Sequence, residues 1–167
     1  MTVFSFPNPV DEVAARTVAA GVVTLSVAYL VTGWFPLLAV LSYGFVARVA
    51  SGPRFSPLGL FATRVVAPRL RSASRLVPGP PKRFAQGIGV VVSVSALIAH
   101  LLGAGSVATV LVGMLVIAAG LEAIVGFCLG CRIFAGLMRL GVIPDEVCAD
   151  CADITRRLEE RSASPVS

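Results

Sequence analysis

From Phe84 to Leu121 the chain reads FAQGIGVVVSVSALIAHLLGAGSVATVLVGMLVIAAGL, without an Asp, Glu, Lys or Arg. A helix needs about 20 apolar residues to cross the hydrocarbon core of a bilayer. The stretch is therefore too long for one crossing and long enough for two, and Gly103-Ala104-Gly105 supplies the turn between them. A second uncharged run, Thr17 to Ala47, is also too long for one span and contains its own turn at Gly33-Trp34-Phe35-Pro36, with Trp34 and Phe35 as interfacial anchors. The expectation is an all-α integral membrane four-helix bundle with spans at about 13–32, 35–49, 84–102 and 107–127. Span 2 is short, which leaves local thinning or a re-entrant hairpin open.

Composition agrees. Of 167 residues, 56% are hydrophobic and 14% charged, against about 25% charged in a typical soluble domain, and the mean hydropathy is +0.89. The net charge of +5 would point to nucleic acid in a soluble chain, but no recognition element accompanies it, so nucleic acid is not expected as a partner. Residues 1–10 lack a basic region before an apolar run, so no signal peptide is expected. Four spans bring the N-terminus, the 52–83 segment and the C-terminal tail to one side, and all 14 Lys and Arg residues fall there. The positive-inside rule makes that side the cytoplasm, which implies a multi-pass inner or plasma membrane protein with both termini cytoplasmic. Three spans would split the basic residues across the bilayer.

The connecting segment 52–83 carries six prolines, seven basic residues and no acid. Between the prolines, Leu58 to Ala67 reads as a short helix on the membrane surface, its arginines reaching for headgroups. The rows Gly89/Ser93 and Ser95/Ala99/Gly103 are small-residue faces suited to close helix packing. Asp11 and Glu12 suit the N-terminus of the first span. Residues 132–140 read as an extension of span 4, and residues 145–161 as an amphipathic cytoplasmic helix in a tail at 142–167, beyond the 1–141 membrane domain.

Chemistry concentrates in the cysteines. All four lie close together near the C-terminus, as Cys128-Leu-Gly-Cys131 and Cys148-Ala-Asp-Cys151. In a reducing cytoplasm standing structural disulfides are not expected. A Cys-x-x-Cys pair can instead exchange a disulfide with a partner. Two such pairs at this separation can also hold a zinc ion through four thiolates. Cys128 and Cys131, read as the C-terminal end of span 4, would be disfavoured as thiolates but for Arg132. Cys148 and Cys151, read in the first turns of a helix, would be favoured but for the acids around them. These opposing effects leave open which pair is the more reactive. Glu122, an acid inside a span, is a candidate proton acceptor for thiol exchange or a partner for a basic residue. Arg54, Lys82 and Arg83 form a weak candidate anion site. His100 reads as a satisfied interface residue.

Four elements carry a resemblance. Asn8-Pro9-Val10-Asp11-Glu12, Gly52-Pro53-Arg54-Phe55-Ser56-Pro57, Pro81-Lys82-Arg83-Phe84-Ala85 and Gly126-Phe127-Cys128-Leu129-Gly130-Cys131 resemble the bacterial, in style actinobacterial, membrane family labelled domain of unknown function 4395. The resemblance spans residues 8–141. It implies the company of thioredoxin-like or sulfurtransferase-like proteins and no established activity. Together these readings point first to a membrane thiol-disulfide or sulfur-relay protein, with Cys128, Cys131, Cys148 and Cys151 as the reactive groups and Glu122 in support. A zinc-binding four-cysteine scaffold and a small permease for a sulfur-containing anion are the alternatives, the last requiring a homo-oligomer because four spans are few for a transporter.

Overall fold

The computed structural model describes residues 8–70 and 76–148, with the side chains of 145 and 146 excepted. Four helical segments, Glu12–Thr32, Phe35–Arg69, Gly79–Leu101 and Gly105–Val125, are long and apolar enough to cross a membrane. The second is interrupted. Helix α1 (Glu12–Thr32) leads through Gly33 into α2 (Phe35–Ser51), after which come a 3-10 turn at Gly52–Arg54, α3 (Pro57–Phe61), a π turn at Ala62–Val66 and α4 (Ala67–Arg69). Helices α5 (Gly79–Leu101) and α6 (Gly105–Val125) form the second long hairpin, followed by α7 (Leu129–Arg139) and a 3-10 turn at Asp145–Cys148. At 1.5 Å per residue the 21 residues of α1 or α6 extend about 31 Å, the thickness of a hydrocarbon core.

The long helices form a ring in which α1 packs on α2 and α6, and α5 on α2 and α6. Their inward side chains, among them Val22, Tyr29, Leu38, Leu41, Phe45, Ala96, Val112 and Leu115, make the core. Val31, Val91, Ile98, Val110, Ile117 and Ile124 point outward and are exposed. In water that distribution would be unstable. Against lipid it is what a spanning bundle requires. Of the two small-residue rows, Gly89 and Ser93 are buried, whereas Ser95 and Gly103 are exposed and Ala99 is partly buried. Spacing alone made the rows equivalent, and only the helix rotation separates them.

Asp11 caps α1 as expected, its Oδ1 accepting from the amides of Val13 at 2.8 Å and Ala14 at 3.4 Å. Just before it, β1 (Val10–Asp11) pairs antiparallel with β2 (Leu76–Val77), and Asn8 Oδ1 accepts from the Gly79 amide at 2.9 Å. This clamp ties the start of the first span to the start of α5, which begins five residues earlier than the sequence pattern predicts.

The connecting segment packs closely on the first span. A Cβ placed on Gly21 would sit 2.6 Å from a Leu58 methyl, and Ala62 and Ala67 join Ala14 and Val18 in a second buried cluster. Gly21 lies nine residues into α1, about 14 Å along its axis. The α3–α4 segment therefore packs along the first half of α1 through Leu58, Ala62 and Ala67, while Phe61 and Leu70 stay exposed.

The end of span 4 also differs from expectation. Gly126 adopts φ 74°, and the amides of Gly126 and Phe127 close on the carbonyls of Glu122 and Leu121 at 3.0 and 3.2 Å, a left-handed helix stop that a residue with a Cβ adopts only under strain. Residues 129–139 are thus a separate helix, α7, packed on α5. Of the expected tail helix, residues 145–148 form a 3-10 turn, and the remainder lies outside the described residues.

Candidate functional site: a dithiol beside a buried ion pair

Chain reversal at Gly103 brings the start of α5 and the end of α6 to the same end of the bundle. There the Lys82 ammonium pairs with Glu122 Oε1, both side chains largely buried at 11% and 15% exposure. Glu122 thus realises one of its two sequence readings, pairing with a basic residue. Its neighbour on the other side is fixed by Arg16, which reaches across from α1 and donates to the carbonyls of Ala123 at 3.2 and 3.1 Å and Ile124 at 2.7 Å. Those are orphan acceptors at the negative end of the α6 dipole, and a guanidinium satisfies them in charge and geometry.

The stop at Gly126 then aims the chain so that Cys128 becomes the N-cap of α7. A thiol at that position faces the positive end of a helix dipole, the reverse of the setting predicted from a continuous span 4. Helix α7 is held against α5 by contact too close for any larger residue. A Cβ on Gly130 would lie 2.6 Å from the Ala85 Cα, and the rings of Phe134 and Phe84 meet at 5.6 Å. Cys128 is buried and Cys131 partly so, and both are free thiols.

The two thiols are not equivalent. The Cys131 thiol donates to the Cys128 sulfur, which holds the Cys128 pKa below the ordinary thiol value against the opposing effects of burial and of the Glu122 charge, with help from Lys82. Cys131 is pushed up, first as the donor to Cys128 and then by burial. A dithiol in which one sulfur ionises more readily than its neighbour is suited to attack followed by resolution. A cavity of about 100 Å³ adjoins Cys128, bounded by Gln86, Gly89, Leu115 and Glu122.

The remaining predicted residues fall elsewhere. Cys148 is buried in a turn that packs on α5 and is disulfide-bonded, contrary to the expectation that no cysteine occupies a standing disulfide. Cys151 lies outside the described residues. Among the described residues no three His, Cys, Asp or Glu side chains gather as a metal site. The candidate anion trio is not assembled as one site: Lys82 pairs with Glu122, Arg83 donates to the Val49 carbonyl at 3.2 Å, and Arg54 is exposed. His100 shares a 2.8 Å hydrogen bond with the Tyr29 hydroxyl at the opposite end of the bundle. Sequence reading missed Arg16 and Arg48. Each sits within one turn of an uncharged run, where a basic residue reads as a topology signal, and only the tertiary fold turns them inward.

No curated protein and no solved structure matches the chain. The sequence matches the family described as a domain of unknown function (DUF4395) over residues 10–139. That range takes in the four spans, the Lys82–Glu122 pair and the Cys128–Cys131 dithiol, and the chain belongs to this family.

Proposed function

We propose that this protein is a membrane thiol-disulfide relay whose working groups are Cys128 and Cys131. The observation that carries the reading is their arrangement: a hydrogen-bonded dithiol at the N-terminus of α7, beside the Lys82–Glu122 pair. In this reading the charged end of the bundle faces the cytoplasm, as the basic residues require, and the partner is a thioredoxin-like protein bearing a disulfide. The Cys128 thiolate attacks one partner sulfur, forming a mixed disulfide and releasing the other partner sulfur as thiolate. Cys131 then attacks the Cys128 sulfur, giving its proton to the departing thiolate. The products are a Cys128–Cys131 disulfide and a reduced partner dithiol. Two electrons pass from the membrane protein to the partner, and the reverse sequence returns them. Lys82 favours the attacking thiolate, and Glu122 keeps the ammonium in place. Cys148, already in a disulfide, belongs to the tail pair that exchanges with this site or with the partner.

The test is trapping. With Cys131→Ser the mixed disulfide cannot be resolved, so covalent adducts with thioredoxin-like proteins should accumulate through Cys128, and Cys128→Ser should abolish them. If Cys131→Ser traps nothing and both thiols stay reduced under mild oxidant, the relay reading fails.

A further inference from the structure

A second polar feature lies at the same end of the bundle and takes no part in the dithiol chemistry. Arg48, on the last turn of α2, is buried, with a relative exposure of only 5%. Its Nε donates to Gln86 Oε1 at 2.9 Å and one terminal nitrogen donates to Ser56 Oγ at 3.2 Å, while the guanidinium stacks on Phe45 at 4.7 Å. The other terminal nitrogen is buried with no hydrogen-bond partner. No carboxylate pairs with Arg48 among the described residues, since the one ion pair found there joins Lys82 to Glu122. A guanidinium stays charged, so a buried one without a counter-charge is strongly unfavourable unless something compensates it.

Arg48 lines a half-open cavity of about 220 Å³ between α1, α2, α5 and the start of the connecting segment at Gly52, Pro53, Gly59 and Thr63. Two other charged groups reach its wall. Lys82 is committed to Glu122. Asp11 is engaged by the first-turn amides of α1. The Asp11 carboxylate keeps its charge on the same wall but forms no ion pair with Arg48, so one Arg48 terminal nitrogen is still without a partner there, and Gln86, whose oxygen already faces Arg48, has an amide NH2 to offer as a further donor. The rest of the lining is apolar, including Val10, Ala14, Val18 and Pro53. The volume of about 220 Å³ falls below the roughly 300–1,000 Å³ of a drug-sized site.

We infer that this cavity is a binding site for a compact organic anion, a carboxylate or a sulfur or phosphorus oxyanion on a small apolar body, with Arg48 as the counter-charge. A fully hydrated inorganic ion would leave the apolar wall unmatched. A neutral isostere would leave Arg48 unmatched. The same chemistry is available from a free anion and from the end of a lipid headgroup.

Equilibrium dialysis of the purified chain in zwitterionic nanodiscs, with labelled benzoate and benzenesulfonate as probes and benzamide as the neutral isostere, tests the site. Saturable binding of one benzoate per chain is expected, with benzamide not retained and Arg48→Met weakening the probe by about tenfold or more. Because Arg48→Met removes a buried anchor, Ala15→Leu provides a second variant that fills the cavity without altering charge, and it should block the probe as well. Repeating the measurement with anionic lipid in the nanodisc identifies the source. Competition points to a headgroup, and unchanged affinity to a free anion. Equal retention of benzamide, unchanged affinity in both variants, or no binding of either anion in the millimolar range would overturn the inference.

Discussion

At the hairpin end of the bundle, Tyr29 and His100 share a hydrogen bond, and Phe35 stacks at 5.8 Å from the imidazole. At the charged end, Lys82 and Glu122 pair beside two thiols, Arg16 caps α6, and Arg48 is buried with a donor to spare. Both ends place polar groups among apolar helices, and both must satisfy them. At the hairpin end the Tyr29 hydroxyl and the His100 imidazole satisfy each other, which makes a joint. The charged end uses ions and thiols whose protonation and bonding can change, and it interrupts its helices at Gly52 and Gly126 so that these groups converge. Polar residues that merely fasten the fold and polar residues set up for chemistry therefore differ in how completely their partners are used.

That contrast can be broken at several points. The largest effect is expected from Lys82→Met, which leaves a buried carboxylate without its cation. Loss of about 3–5 kcal/mol is expected, read as a lower denaturation midpoint in detergent, with much of it recovered in the double variant Lys82→Met/Glu122→Leu. A midpoint unmoved by Lys82→Met would mean that water already screens the pair. Gly130→Leu comes next. A side chain there must displace the Ala85 backbone, an overpacking cost of about 1–3 kcal/mol, and α7 should detach from α5 while the bundle persists. Cys128 should then alkylate like an ordinary thiol, with helicity almost unchanged.

Removing the internal donor with Cys131→Ala acts on the thiolate itself. Because the Cys131 hydrogen bond holds the Cys128 pKa down, the thiolate forms at lower pH than in a free cysteine. Its loss moves the pH profile of iodoacetamide reaction upward, so that near neutral pH the rate falls about tenfold for a charged hydrogen bond of ~1.5 kcal/mol. A profile that stays in place would show that Lys82 and the α7 dipole suffice. Smallest is Tyr29→Phe at the hairpin end, expected to cost about 1 kcal/mol and to leave Cys128 reactivity untouched. A changed alkylation rate there would show that the two ends are coupled.

Much of the fold was legible because its signals are local. The uncharged runs at 17–47 and 84–121 each mark a helical hairpin by length alone, Asp11 marks a cap, and the basic residues mark one end. The site was legible as a list of residues and not as an arrangement. Glu122 pairs with a residue 40 positions earlier, and no periodicity within either helix reports that. The polarity of the Cys128 setting depended on whether span 4 stops at Gly126 or runs on. Reading it as continuous placed the thiols at the wrong end of a dipole, since the apolar character of residues 127–138 looks the same either way. Arg48 was read past for a related reason. At the close of an apolar run an arginine looks interfacial, and its burial depends on the α3–α4 segment packing back along α1.

The central claim is that Cys128 and Cys131 act together as one two-electron couple. Equilibrating the purified protein in dithiothreitol buffers of graded potential, then alkylating and weighing the peptide that contains both, tests it directly. The account predicts a single transition in which both sites lose reactivity together and the unalkylated peptide is lighter by two hydrogen atoms, abolished by replacing either cysteine. Two thiols that remain alkylatable at every potential would contradict it.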